Sequence, residues 1–217
     1  MARMRVWLTL FSPLMILGVL FSLCGLYFKM VQGLEGEAVA AAITEIAVLP
    51  TTLGFVLVLV LSRWMAHAEG LSLAAVGWER PTVVDVGVGL GVGVALSGVN
   101  SNVFYPWVMA ALPNFDPTLA NQPLGQVVLA LTVAVIAEDT LFRGYAFEVL
   151  RLRHGIPLAI AATSLGYAPL AGIQGWALVV WATCFSLLLC LVKVWRQNLW
   201  PVCIIHLMVS FLPRVLS

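Results

Sequence analysis

The run from Trp176 to Val192, WALVVWATCFSLLLCLV, contains no charged residue over seventeen positions. As a helix rising 1.5 Å per residue it covers about 25 Å, close to the ~30 Å hydrocarbon core of a bilayer. Inside lipid every backbone N–H and C=O must be satisfied within its own element, which leaves helices or closed barrels. A barrel strand would alternate polar and apolar residues over ~10 positions. This run does not alternate, so it reads as a membrane-spanning helix.

Working outward, six further apolar runs have the same character: Val6–Phe28, Ala38–Leu61, Val83–Val99, Leu124–Phe142, Ile156–Gly172 and Leu199–Leu212. Of the 217 residues 62% are hydrophobic and only 10% charged, with a mean hydropathy of +1.03. A soluble domain needs about a quarter of its residues charged. The expected fold is therefore all-α, a multi-pass transmembrane bundle of about seven spans. It forms a single integral membrane domain over 1–217, with no internal repeat. Membrane lipid is its first partner. A net charge of +1 gives no basic surface for nucleic acid. Cys24, Cys184, Cys190 and Cys203 fall inside apolar runs, without the spacing of a zinc site or the loop context of a disulfide framework. The basic start, Met1 to Arg5, resembles a signal peptide, but the apolar run behind it exceeds an h-region of ~7–15 residues and no A-x-A-like site follows. An uncleaved first span is expected.

Lys and Arg gather in cytoplasmic loops of membrane proteins. With the N-terminus inside, Arg3, Arg5, Arg63, Arg80, Arg143, Arg151, Arg153, Lys193 and Arg196 fall on the inner side, and only Lys29 and Arg214 outside. This predicts a cell-membrane protein with its N-terminus cytoplasmic and its C-terminus outside. Trp7, Trp64, Trp78, Trp195 and Trp200 then mark inner boundaries, and Trp107 and Trp176 outer ones. Between the third and fourth spans an outer loop is punctuated by Pro106, Pro113, Pro117 and Pro123. In the third span, Val86-GVGLGVG-Val94 contains two overlapping G-x-x-x-G pairs, Gly87/Gly91 and Gly89/Gly93, which predict close approach of another helix.

Each ionisable side chain at membrane depth costs about 2.5–3.5 kcal/mol on insertion scales and so asks for a partner or a purpose. Glu45, Asp85, Glu138, Asp139, Arg143, Glu148 and His206 are the candidates. Glu45 and Asp85 read most simply as hydrogen-bonded or interfacial acids. The segment Ala137-EDTLFRG-Tyr145 is denser. Asp139 and Arg143 stand four apart, so on a helix they form an ion pair. Glu138, ~100° round the helix, is left without that partner. A carboxylate so placed in a low-dielectric site is the usual starting point for a general base near neutral pH. The alternative is that both carboxylates share Arg143.

Glu138-Asp139-x-x-x-Arg143-Gly144 resembles the E-E-x-x-x-R motif of the CPBP family (CAAX protease and bacteriocin-processing), which includes the prenyl-protein CAAX endopeptidases. That family's second motif, F-x-x-x-H, corresponds to Tyr167-Ala-Pro-Leu-Ala171. Its third, H-x-x-x-N or H-x-x-x-D, corresponds to His206-Leu-Met-Val-Ser210. The motif-bearing core is 124–213. The resemblance implies an intramembrane endopeptidase in which the first Glu and two His activate a water and the Asn helps hold the oxyanion. Carried over, Glu138 and His206 are the catalytic residues, and Asp139, Arg143 and Ser210 support them. Ala171 is the degenerate position, where the second His is missing. If the fourth and fifth spans turn near His154, Glu138 and Ala171 lie at similar depth.

A catalytic metal usually keeps three protein ligands. Glu138, Asp139 and His206 could supply them only if Asp139 left Arg143. His67 and His154 fall in loops and belong to no H-E-x-x-H pattern. No metal or other cofactor is expected. The substrate or partner class implied is a membrane-anchored or lipid-modified peptide or protein. The same residues also fit a pseudoprotease, an inactive homologue that binds such a partner without cutting it. A third class is a small proton-coupled transporter relaying protons over Glu45, Asp85 and Glu138. Tyr167 and Ser210 read as packing residues, Ser210 bonding back to the carbonyl of His206.

Overall fold

The computed structural model describes residues 11–111, 123–172 and 175–216. The first residues of the first span, Val6 to Leu10, and Pro113 and Pro117 of the outer loop lie outside them. The described chain is helical, with no β-strand. In order it runs α1 (Ser12–Gln32), α2 (Glu37–Ile46), α3 (Val48–Ala68) and α4 (Val83–Val99). A π-helical stretch (Asn100–Phe104) then leads into α5 (Tyr105–Ala111). After this come α6 (Leu124–Asp139), a second π stretch (Thr140–Ala146), α7 (Phe147–His154), α8 (Ile156–Gly172), α9 (Trp176–Arg196) and α10 (Trp200–Leu216). Five helical stretches are long and apolar enough to cross a membrane: Ser12–Gln32, Val48–Ala68, Val83–Val108, Gly125–His154 and Trp176–Arg196. Ile156–Pro169 and Trp200–Leu212 are shorter apolar helices. Leu, Val, Met and Trp side chains line the outer faces of α1, α3, α4 and α9, a surface suited to hydrocarbon rather than water. The chain is a multi-pass, all-α membrane protein.

Each expected span meets a helix, with four corrections. Ala38–Leu61 is not one helix but two. Pro50 lacks an N–H and its ring crowds the carbonyl of Ile46 four residues back, and α2 ends at that residue. Pro106 lies not in a loop but in the first turn of α5, where a missing N–H is tolerated. The π stretch before it, closed by Tyr105 N–H to the carbonyl of Asn100, absorbs the irregularity. Three helices also outrun their apolar cores: α3 continues to Ala68, the α6–α7 rod to His154 and α9 to Arg196. His67 and His154 therefore end helices rather than occupy loops. Finally, Arg143 (0% exposed) and Lys193 (1%) are buried in the bundle and are not loop charges.

Of the two glycine pairs only one carries a contact. A Cβ on Gly89 would come within 2.7 Å of the Ile204 Cβ, and one on Gly93 within 2.8 Å of the Met208 Cβ, so these glycines let α4 lie directly on α10. Gly87 and Gly91 face open space. The start of α4 is fixed by a capping box between Thr82 and Asp85. Asp85 also accepts from Arg196 Nε (2.9 Å) and Asn198 Nδ2 (3.3 Å), tying the end of α9 and the start of α10 to α4. Asp85 is thus a hydrogen-bonded structural acid.

The segment between α3 and α4 closes over the second π stretch. Trp78 Nε1–H donates to Thr140 Oγ1 (3.1 Å), and Leu199 N–H donates to the carbonyl of Gly77 (2.8 Å). A Cβ on Gly144 would sit 3.2 Å from both Leu199 Cδ1 and the Val76 carbonyl, so Gly144 permits this close approach. Trp78 and Trp200 meet edge to face at this end, and Trp107 and Trp176 at the other. The expected grouping of these tryptophans by end holds.

Candidate active site

Four elements build the site. The last turn of α6 supplies Glu138 and Asp139, and the π stretch that follows supplies Arg143. From α8 comes Tyr167, and from α10 His206. The π stretch is packed on all sides: Leu141, Phe142, Arg143, Tyr145 and Ala146 are each 0% exposed. Such bulges inside α-helices often occur at functional sites. The turn at Gly155 (φ +85°) lets α8 fold back along α7 and the second π stretch, as the expected hairpin near His154 requires. Tyr167 then reaches the level of Glu138.

Asp139 is the anchor. Its Oδ1 accepts from Arg143 Nη1 at 3.0 Å, with both side chains fully buried. Its Oδ2 lies 3.3 Å from His206 Nδ1, and the Cys203 thiol stands beside this carboxylate. A carboxylate at Nδ1 assigns the proton of the neutral imidazole to that nitrogen, leaving the Nε2 lone pair free. His206 Nε2 points at Glu138, whose Oε2 lies 3.9 Å away. The two carboxylates do not both pair with Arg143 by hydrogen bond: Asp139 does, and Glu138 faces His206. Glu138, with its side chain 13% exposed against 0% for Asp139, is the more open of the two carboxylates.

Aromatic rings frame the cluster. The Arg143 guanidinium carbon stands 4.3 Å from the centre of the Tyr167 ring, a cation–π contact. Arg143 Nε and Nη2 have no hydrogen-bond partner among the described residues. The Tyr167 ring meets Phe142 edge to face at 5.5 Å, and Phe185 meets His206 in the same way at 5.2 Å. The Tyr167 hydroxyl lies 3.4 Å from His206 Nε2 and beside the Glu138 carboxylate. It is not a packing residue alone. The signal in the sequence is one atom, the hydroxyl that distinguishes Tyr167 from a phenylalanine.

The structure thus gathers Glu138, Asp139, Arg143 and His206, and adds Tyr167 and Cys203. Ser210 is half-buried one turn beyond His206, and none of the described hydrogen bonds involves it, including the expected one to the His206 carbonyl. Ala171 lies in the last turn of α8, four residues past Tyr167, and its side chain is outside the described ones. Glu148 belongs to a separate buried cluster with Arg151 (2.7 Å) and Lys193 (3.7 Å). Among the described residues no three His, Cys, Asp or Glu side chains are placed to hold one metal ion.

Residues 120–212 match the family model Rce1-like, described as type II CAAX prenyl endopeptidase Rce1-like. Comparison with curated proteins and with solved structures gives no significant match. The matched segment begins just before α6 and contains every residue of the cluster. Over that segment, which is less than half of the chain, the protein is similar to the Rce1-like type II CAAX prenyl endopeptidases.

Proposed function

We propose that the chain is an intramembrane endopeptidase that cleaves a membrane-anchored or lipid-modified peptide, with Glu138 as the water-activating base. One observation carries this reading: Glu138 and the Nε2 of His206 face each other at 3.9 Å while Asp139 holds the far side of the imidazole. Two lone-pair groups at that spacing call for a donor between them, and a water has the two protons needed to satisfy both. As the water oxygen attacks the peptide carbonyl carbon, Glu138 takes its proton and later passes it to the departing amine nitrogen. Asp139 keeps the imidazole in the tautomer that accepts at Nε2, and Arg143 holds Asp139 in place. General-base assistance of this kind contributes about 10²–10⁴-fold. In the cell membrane the N-terminus lies inside, and the site opens toward the cytoplasmic half of the bilayer.

The second reading is a pseudoprotease that binds such a partner without cutting it. It is favoured by Ala171, which stands where the family motif carries a histidine. The two are separated by incubating purified protein in lipid with a panel of prenylated and membrane-anchored peptides. Cutting by the wild type that is lost in Glu138→Ala supports the peptidase. Cutting by Ala171→His alone supports the pseudoprotease.

A further inference from the structure

Glu138 and His206 leave one part of the site unexplained. The family motif places a second imidazole four residues after an aromatic residue, and here the imidazole is absent while the aromatic is Tyr167 rather than Phe. A phenyl ring would suffice for the packing: the cation–π contact with Arg143 and the edge contact with Phe142 need only the ring. Burying a hydroxyl is costly unless it is hydrogen-bonded. The extra oxygen is therefore informative, and it lies 3.4 Å from His206 Nε2 and beside the Glu138 carboxylate. Position 171 is one turn along the same helix face, and side chains on a helix lean back toward its N-terminus.

Resting on the peptidase reading above, we propose that the Tyr167 hydroxyl replaces the missing imidazole as the third hydrogen-bonding group around the attacking water. In the resting site it stands at the edge of the gap between Glu138 and His206, 3.4 Å from His206 Nε2. When substrate brings the carbonyl in, the hydroxyl orients the water and then donates a hydrogen bond to the oxygen on which charge develops. It forms and breaks no covalent bond, and the water proton still goes to Glu138. Its ring cannot drift, because Arg143 and Phe142 hold it.

The test uses full-length protein in lipid and the same peptide panel, with Tyr167→Phe, Ala171→His and the double variant. Tyr167→Phe keeps the ring and so keeps the packing. The expected result is that wild type cuts, that Tyr167→Phe loses about 10²–10³-fold in kcat with little change in KM, and that adding Ala171→His restores much of the loss. A ring with a purely structural role would not be rescued by an imidazole at another position. An independent readout is ¹⁵N-histidine NMR of the chain's three histidines. The Nε2 resonance of His206, assigned by its absence in His206→Gln, should shift in Tyr167→Phe. If wild type and Tyr167→Phe cut equally well, the role of Tyr167 is overturned and the peptidase reading stands. If wild type is silent while Ala171→His cuts, the peptidase reading of the native chain falls, and the hydroxyl does not replace the imidazole.

Discussion

Asp139 has two obligations, to Arg143 on one side and His206 on the other, and both are met in a fully buried place. Removing one partner from a buried ion pair leaves an uncompensated charge, which costs about 3–5 kcal/mol, whereas replacing both by apolar groups is often close to neutral. Arg143→Met should therefore destabilise the protein strongly in thermal unfolding followed in detergent, and Asp139→Asn/Arg143→Met should recover most of the loss. Equal stability of wild type and Arg143→Met would mean that the pair is not structural. The double variant should remain inactive even when refolded, because His206 has lost the carboxylate that sets its tautomer. At this scale the sequence was partly legible. The i,i+4 spacing announced the Asp139–Arg143 pair, and the motif pointed to Glu138 and His206. It did not announce that Tyr167 carries a polar contact, since one hydroxyl barely alters the pattern of an apolar helix. Nor did it show that Ser210 would stand apart from the described hydrogen bonds.

Helix packing turns on which face a small residue occupies. Gly89 and Gly93 lie under Ile204 and Met208, while Gly87 and Gly91 face outward. Gly89→Ala should cost about 1–3 kcal/mol through overpacking, and Gly87→Ala should be neutral or slightly stabilising, as alanine favours a helix by up to about 1 kcal/mol over glycine. Melting temperatures of the two variants in detergent check this, and the reverse order would place the α4–α10 contact on the wrong face. Spacing alone offered both pairs because the G-x-x-x-G pattern repeats at two phases, and the choice depends on the partner helix. The π stretch at Thr140–Ala146 was likewise hidden. It depends on Gly144 allowing Leu199 and the Val76 carbonyl to approach, contacts from distant parts of the chain. The break between α2 and α3, by contrast, was readable from Pro50 and was overlooked because the apolar run continued through it.

For the whole molecule, composition and run length were enough to establish a helical membrane bundle, because hydrocarbon permits so few backbone arrangements. Orientation rests on charges near the ends, and two of those counted, Arg143 and Lys193, are buried partners of Asp139 and Glu148. The remaining inner set still outweighs Lys29 and Arg214. In a background lacking Cys24 and Cys184, Leu73→Cys should be labelled only from the cytoplasmic side by a membrane-impermeant thiol reagent, and Glu35→Cys only from outside. Both positions lie in described connections, Glu35 between α1 and α2 and Leu73 between α3 and α4. The reverse pattern would invert the topology and move the site toward the other half of the bilayer.

The proposed reaction needs Glu138 and His206 to act together on a water. Mass-spectrometric detection of peptide products formed in lipid by wild type, Glu138→Gln and His206→Ala tests this. Wild type should release two fragments from a membrane-anchored peptide, and each variant should fall by about 10²-fold or more. Fragments released at the wild-type rate by Glu138→Gln would contradict it.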